Sequence, residues 1–356
     1  MLRPTDYTIG WVCGDLHDFD AVGILLDERH DHQDFVSSDD DNSYVFGRMR
    51  WHNVIVVLPT LDGSVSRAVA NMVQTFQNIK FYLLVGTGGG VPSDGNDIRL
   101  GDVVVGVSNS FGGLLQYDMK YSGQEQTLHA TAHQIQSPSV LLNAITLPED
   151  YDGLSGRKIV DMITESISGK PEERELWHVF RRPHSDSDRL YRTSLIHNPR
   201  HQDCEVGCGD DPSLLIVRDA RPEGSDPAIH YGTIASSTEW MWDASLRDKI
   251  GPQNNILCFE TAAAGLMNYL PCLVVRGISN YADSHEPWDW EPYAAMNAAA
   301  YTKKLLYDIN VRDVSMADEI PKFMIPRGLR FLLLTNNRTV LTYMYSHRFF
   351  PTIRVQ

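Results

Sequence analysis

One segment limits what this chain can fold into more than any other. Lys80-Phe-Tyr-Leu-Leu-Val85 is a continuous apolar run, and it leads straight into Gly86-Thr-Gly-Gly-Gly90. A short apolar run ending in glycines reads as a buried strand. The glycines let another group approach the backbone closely, because no Cβ stands in the way. A dinucleotide-binding turn would open a helix here. Val91-Pro-Ser-Asp-Gly95 reads instead as a turn, so that fingerprint is rejected. On the glycines alone, a structural bend and a ligand contact both stay open.

The same alternation runs through the rest of the chain. Tyr7–Cys13, Tyr44–Met49, His52–Leu58, Gly101–Gly106, Ile229–Ala235 and Cys272–Ile278 read as strands. Helical stretches fit Phe19–Leu26, Ser64–Phe76 with Ser64 as cap, Phe259–Tyr269 and Pro292–Tyr307. Strands alternating with helices predict an α/β domain with a mainly parallel or mixed central sheet. Residues from about 123 to 227 are polar, weakly periodic and rich in His, Asp, Arg and Pro, which predicts an irregular insertion of helix and long loops. The domain is expected over 1–309. A basic tail follows over 310–356, where Phe331–Leu334 and Thr339–Tyr345 read as extra strands.

Charge and cysteine content exclude several classes. The 356 residues carry 31 Lys+Arg against 46 Asp+Glu, a formal net charge of −15. Binding to nucleic acid or to an anionic membrane needs a basic face, so neither partner is expected. A small anionic ligand needs only a local pocket and stays open. No apolar run reaches the ~18 residues of a membrane span, and the N-terminus does not read as a signal peptide. Five cysteines are an odd and low count, which favours reduced thiols and a cytoplasmic location.

Several distant segments taken together resemble the purine nucleoside phosphorylase and nucleosidase superfamily, in the version common in fungal proteins. They are residues 7–13, Val85–Ser93, Asp97–Val105, Ile229–Ser236, Cys258–Asn268 and Val274–His285, in family order over about 7–309. The resemblance extends to methylthioadenosine/adenosylhomocysteine nucleosidases and to ATP nucleosidase effector domains. It implies a three-layer α/β/α phosphorylase-type domain, a purine nucleoside or nucleotide ligand that is adenosine- or ATP-like, no cofactor, and a homo-oligomer. The implied reaction is cleavage of the bond between purine and ribose through an oxocarbenium-like transition state. Such an enzyme must support the leaving base, hold the sugar hydroxyls and deliver a nucleophile to the anomeric carbon.

By the same resemblance Asp18 is the carboxylate that orients the attacking water. Gly14, Thr87 and Gly88 lie beside the ribose or nucleophile. Trp240 stacks on the base, and Met241 lies where backbone groups read the purine edge. Phosphorolytic relatives use arginines near Asp18 and at the position of Leu84. Both substitutions favour hydrolysis over phosphorolysis, which remains an alternative.

Two departures matter. The family's helix motif normally carries Met-Glu, whose Glu grips the ribose hydroxyls, and here the pair is Thr261-Ala262. Glu260 is nearby but is expected on a different helix face. Losing a charged partner of the substrate costs about 2–4 kcal/mol of transition-state stabilisation. Asn280 stands where the family usually has the Asp that protonates the purine, and an amide donates a hydrogen bond but no proton. The chain is thus an engineered inactive form, a natural member that binds without turnover, or a site rebuilt for another substrate. A non-catalytic sensor or effector module is the competing function.

Other residues point to separate roles. His197, His201, Cys204 and Cys208 offer soft ligands that fit zinc, against surface thiols as the alternative. Asp39-Asp40-Asp41 reads as a solvated loop. Arg276 reads as a partner of nearby acids, Asp283 as adjacent to the site, and His285 and Trp288 as lining its mouth. A triphosphate would need cations such as Arg99, His17 or the basic tail.

Overall fold

A computed structural model describes residues 2–317 except 32–35, 37–39, 61–63, 108–112, 123–124, 131–136, 146–154, 171–173, 199–203, 265, 267–269 and 271. Its strands are β1 (Ile9–Cys13), β2 (Glu28–Arg29), β3 (Ser43–Met49), β4 (His52–Leu58), β5 (Phe81–Gly90), β6 (Val103–Gly106), β7 (Leu114–Ser122), β8 (Glu125–Ala130), β9 (Ile229–Ser236), β10 (Ile256–Glu260) and β11 (Cys272–Asn280). Its helices are α1 (Leu16–Leu25), α2 (Val65–Thr75), α3 (Ser139–Ile145), α4 (Gly156–Ser168), α5 (Arg174–Trp177), α6 (Cys204–Gly207), α7 (Ala244–Gln253), α8 (Trp290–Tyr307) and α9 (Val311–Met316).

The strands form one mixed sheet in the order β2-β3-β4-β1-β5-β11-β6-β9-β7-β8. β1 lies parallel to β4 and β5, and β11 lies parallel to β5, whereas β6 runs antiparallel to β11. Side chains alternate across the central strands, as the period of two requires. Trp11, Leu83 and Val275 join one core with α1, α4 and α8. Val12, Leu84 and Val274 join the other with Ala68, Val69 and Met72 of α2. Helices therefore cover both faces, giving the expected mixed α/β architecture. α8 is apolar around most of its circumference, which suits a helix packed on the sheet and on α1 and α4 at once. Ser64 caps α2 as expected, its hydroxyl accepting from the Arg67 N–H at 3.2 Å.

Three local expectations change. The glycine run continues β5 to Gly90 rather than bending away after Val85. The helix expected over Phe259–Tyr269 is absent from the described part of that span. β10 ends at Glu260, and Thr261–Ala263 form a bend. Pairing decided this: Cys258 and Phe259 bond to β9 on one side and to Gly90 and Gly89 on the other, and that outweighs the helix propensity of the alanines. Thirdly, β7 and β8 pair as a hairpin across residue 123, where loop was expected. Beyond 317 the tail lies outside the described residues, its two expected strands included.

β10 closes a ring. β5 pairs β11, β11 pairs β6, β6 pairs β9, β9 pairs β10, and β10 returns to β5. The glycine half of β5 lies in this closure. Among the described residues, no helix is long and apolar enough to cross a membrane.

Candidate functional site

β5 loses β1 as a neighbour after Val85, the last residue paired with it, and meets β10 at Gly89 and Gly90. Between these points its backbone is approached from several sides. A Cβ at Gly86 would stand 2.3 Å from Asp18 Oδ2 and 2.7 Å from Arg276 Nη1. One at Gly89 would stand 2.7 Å from Asn280 Oδ1 and 2.8 Å from Ala282 Cβ. Both glycines are thus needed for close approach. A Cβ at Gly88 would meet Cys258 Sγ at 2.7 Å. Three strand ends and the start of α1 converge here, and they bring Asp18, Arg276, Glu260 and Asn280 round one stretch of backbone.

Asp18 occupies the first turn of α1. Asp15 caps that helix, its side chain accepting from the Asp18 N–H at 3.0 Å, and Asp18 reciprocates. Asp18 Oδ2 accepts from the N–H of Gly14 at 2.9 Å and of Asp15 at 3.2 Å. Gly14 thus bonds Asp18 directly. The carboxylate is 2% exposed, not solvated, and its Oδ1 has no hydrogen-bond partner. Burial, then the negative charge of Asp15, pushes its pKa well above the usual carboxylate range. Arg276 and the two N–H groups oppose that shift.

Arg276 is buried among the apolar residues of β11 and needs a buried acid. Its Nη2 donates to Glu260 Oε2 at 2.5 Å. Glu260 also accepts from the N–H of Ala262 at 2.8 Å and of Ala263 at 3.1 Å. The expectation that Glu260 sits on a helix is corrected: it ends β10, and its oxygens close the bend that follows. That bend holds Thr261 and Ala262, both half-buried. The sequence signal for the pair was an Arg and a Glu each set in an apolar strand, and only their register shows that they meet.

At the end of β11, Asn280 lies opposite Gly89. Its Oδ1 accepts from the Ala282 N–H at 2.9 Å, which holds Ala282 at φ 50°, a left-handed conformation rare outside glycine. The amide N–H groups of Asn280 remain as the donors of that side chain. Thr87 lies on β5 opposite Gly277. Met241 is buried in a small cluster with Phe259, which precedes Glu260, and Ala282, which follows Asn280 by two residues. Trp240 is 51% exposed, its ring centroid 6.2 Å from that of Trp242, so it is not a core residue.

Other candidates fall elsewhere. Arg99 is tied to Asp97 at 2.8 Å and to the carbonyl of Asp219 at 2.6 Å, so its guanidinium is already engaged. His285 is buried and stacked on Tyr191 at 4.2 Å rather than lining an opening, whereas Trp288 is exposed. Asp283 accepts from the His285 N–H at 2.8 Å. His17 lies 4.0 Å from Glu291. Asp40 is not a free solvated acid: it accepts from Asn42, Tyr44 and Asn71. Asp39 and His201 lie outside the described residues. His197, Cys204 and Cys208 come together, each offering one ligand atom within 4.8 Å of the others.

No family model matches the chain. It is 34% identical over 330 residues to a nucleotide-binding leucine-rich repeat (NLR)-like protein of Hyaloscypha variabilis, a match covering 92% of this chain and 32% of that protein. The chain thus spans about a third of the length of the curated relative it matches. Among solved structures it is similar to an S-adenosylhomocysteine nucleosidase from Streptococcus pyogenes in complex with 5-methylthiotubericidin (16% identity, 86% of this chain and 98% of that one, TM-score 0.48). It is also similar to a 5′-methylthioadenosine/S-adenosylhomocysteine nucleosidase from Neisseria meningitidis in complex with methylthio-immucillin-A (14%, 84% and 98%, 0.48). A third is the futalosine hydrolase of Helicobacter pylori (13%, 85% and 98%, 0.46).

Proposed function

We propose that this chain binds a purine nucleoside or nucleotide, adenosine- or ATP-like, beside Gly86–Gly89, and hydrolyses its N-glycosidic bond slowly. The observation that carries this reading is Asp18. A carboxylate held out of water with one oxygen unpartnered is costly, and that cost is expected where the group has a task. In the reaction a water oxygen bonds to the anomeric carbon as the carbon–nitrogen bond breaks. Asp18 takes the proton that the water loses, and its raised pKa makes it a stronger base once ionised. The bond electrons leave with the purine. Asn280 supports that charge with an N–H bond, while the proton that neutralises the base comes from solvent. With no acid at 262 and Glu260 bound to Arg276, the ribose lacks a carboxylate grip, so turnover is slow. Leu84 is buried in the core and offers nothing to phosphate, which favours water as the nucleophile.

The test is base release from adenosine, inosine and ATP, with and without phosphate, beside calorimetry of the same ligands. Binding with slow, phosphate-independent release is expected. Strict phosphate dependence would overturn hydrolysis, and absence of binding would overturn the site.

A second reading is a non-catalytic sensor or effector module. The engagement of Glu260 by Arg276 favours it, as does the match to about a third of an NLR-like protein. Tight binding with no base released at enzyme in excess over substrate would select it.

A further inference from the structure

Between Asp188 and Asp219 the chain folds back on itself against the segment that follows Asn280. Its base is closed by backbone bonds, the Arg192 N–H donating to Leu214 at 2.9 Å and the Ile216 N–H to Leu190 at 2.8 Å. Tyr191 Oη closes it further on the Gly209 carbonyl at 3.0 Å. At the other end, among the described residues, no buried apolar cluster holds the loop. Ile196 and Val206, its apolar side chains there, are 76% and 75% exposed. What lies together instead is His197 with Cys204 and Cys208.

Cys204 opens α6 and Cys208 directly follows its last residue, its N–H donating to the Cys204 carbonyl at 2.9 Å, so the two cysteines lie about one helical turn apart and share a face. His197 Nδ1 lies 3.4 Å from Cys204 Sγ and 3.2 Å from Cys208 Sγ. One ring nitrogen has a single lone pair or a single proton, so it satisfies one thiol well and not two. A shared cation accounts for both contacts. In a tetrahedral zinc site, the usual metal–sulfur and metal–nitrogen distances place sulfur and nitrogen about 3.6 Å apart. The observed separations are a few tenths of an ångström shorter. A second observation lies alongside. The His285 ring is 5% exposed, neither nitrogen makes a hydrogen bond although Nδ1 lies 3.3 Å from Asp283 Oδ1, and its centroid is 6.0 Å from that of His197.

We infer that His197, Cys204 and Cys208 bind one divalent zinc ion. One imidazole and two thiolates are a soft donor set that suits zinc over magnesium or calcium. The two thiols give up their protons as the metal binds. Its place in the fold makes the ion a staple. The His197 N–H donates to Ser284 Oγ at 2.9 Å, so the metal loop is tied to the segment that follows Asn280. Zinc thus stands in for the missing core of the loop and steadies one wall of the candidate site, without taking part in its chemistry.

The test uses the full chain, purified under reducing conditions without chelator. Elemental analysis is expected to give about one zinc per chain. Cys204→Ser, Cys208→Ser and His197→Ala should each lose most of it, whereas Cys272→Ala should retain it. If the variants fold poorly, the unaltered chain still decides the matter. Stripped with a chelator and titrated with cobalt(II), it should develop thiolate-to-cobalt charge-transfer absorption that saturates near one equivalent. Zinc below about a tenth of an equivalent together with no cobalt band would overturn the inference. So would zinc retained by the Cys204→Ser/Cys208→Ser double variant, or a Cys204–Cys208 disulfide in the freshly purified chain.

Discussion

Arg276 Nη2 donates to Glu260 Oε2 across 2.5 Å, with the two side chains only 2% and 1% exposed. Removing one partner of such a pair strands a buried charge. Glu260→Ala is expected to destabilise the fold by about 3–5 kcal/mol. Glu260→Ala combined with Arg276→Met should recover much of that loss. Urea denaturation of the three proteins measures both effects. Equal loss in the single and double variants would mean that the pair is not the source.

Restoring the missing acid should restore chemistry. Ala262→Glu with Asn280→Asp is expected to raise base release by roughly 30- to 1,000-fold, the rate equivalent of about 2–4 kcal/mol. A steady-state assay on adenosine reads this directly. No gain would show that residue 262 does not limit turnover.

Asp18 links activity to stability with opposite signs. Burial raises its folded pKa, so its favourable contribution to folding is complete below the unfolded value of about 3.9 and is lost as pH rises through the folded value. At neutral pH, Asp18→Asn should therefore raise stability by about 0.5–2 kcal/mol while lowering base release at least 100-fold. Base release by the unaltered chain should climb with pH as Asp18 ionises. Melting curves at pH 5 and pH 8 should show the stability gain growing at the higher pH.

Asp102 behaves in the reverse way. Burial pushes its pKa up, but bonds from Arg221 at 2.6 Å and His230 at 3.0 Å more than offset this and hold it below the usual range. Its contribution is present above about pH 3.9 and is lost as pH falls through the folded value. Asp102→Asn should cost about 3–5 kcal/mol at pH 7 and progressively less on acidification. Chemical denaturation across pH 3–7 tests the trend.

Much of the fold was legible because its strands are buried on both faces and so read as unbroken apolar runs. β1, β4, β5 and β11 are of this kind. β10 was misread because Thr261-Ala-Ala-Ala is helical by local preference, and nothing local reports that Gly89 and Gly90 lie beside the preceding residues. Asp18 and Asn280 were singled out only through the resemblance to a known family. The engagement of Glu260 was hidden, since it depends on the register that carries Arg276 to the same depth as the end of β10. The burial of His285 was equally hidden, because its stacking partner Tyr191 is almost a hundred residues away (285 − 191 = 94).

The glycines of β5 give the chain two unequal tolerances to mutation. A methyl group at position 86 or 89 would strike Asp18, Asn280 or Ala282, so drift there is checked by folding itself. A change at position 262 is checked less, because the alanine side chain, half-buried at the edge of the second core, carries none of the bonds that hold the bend. Selection for a folded chain would therefore preserve the cradle long after selection for turnover had lapsed. Persistence of the cradle among descendants would be a record of their architecture and no testimony to their chemistry.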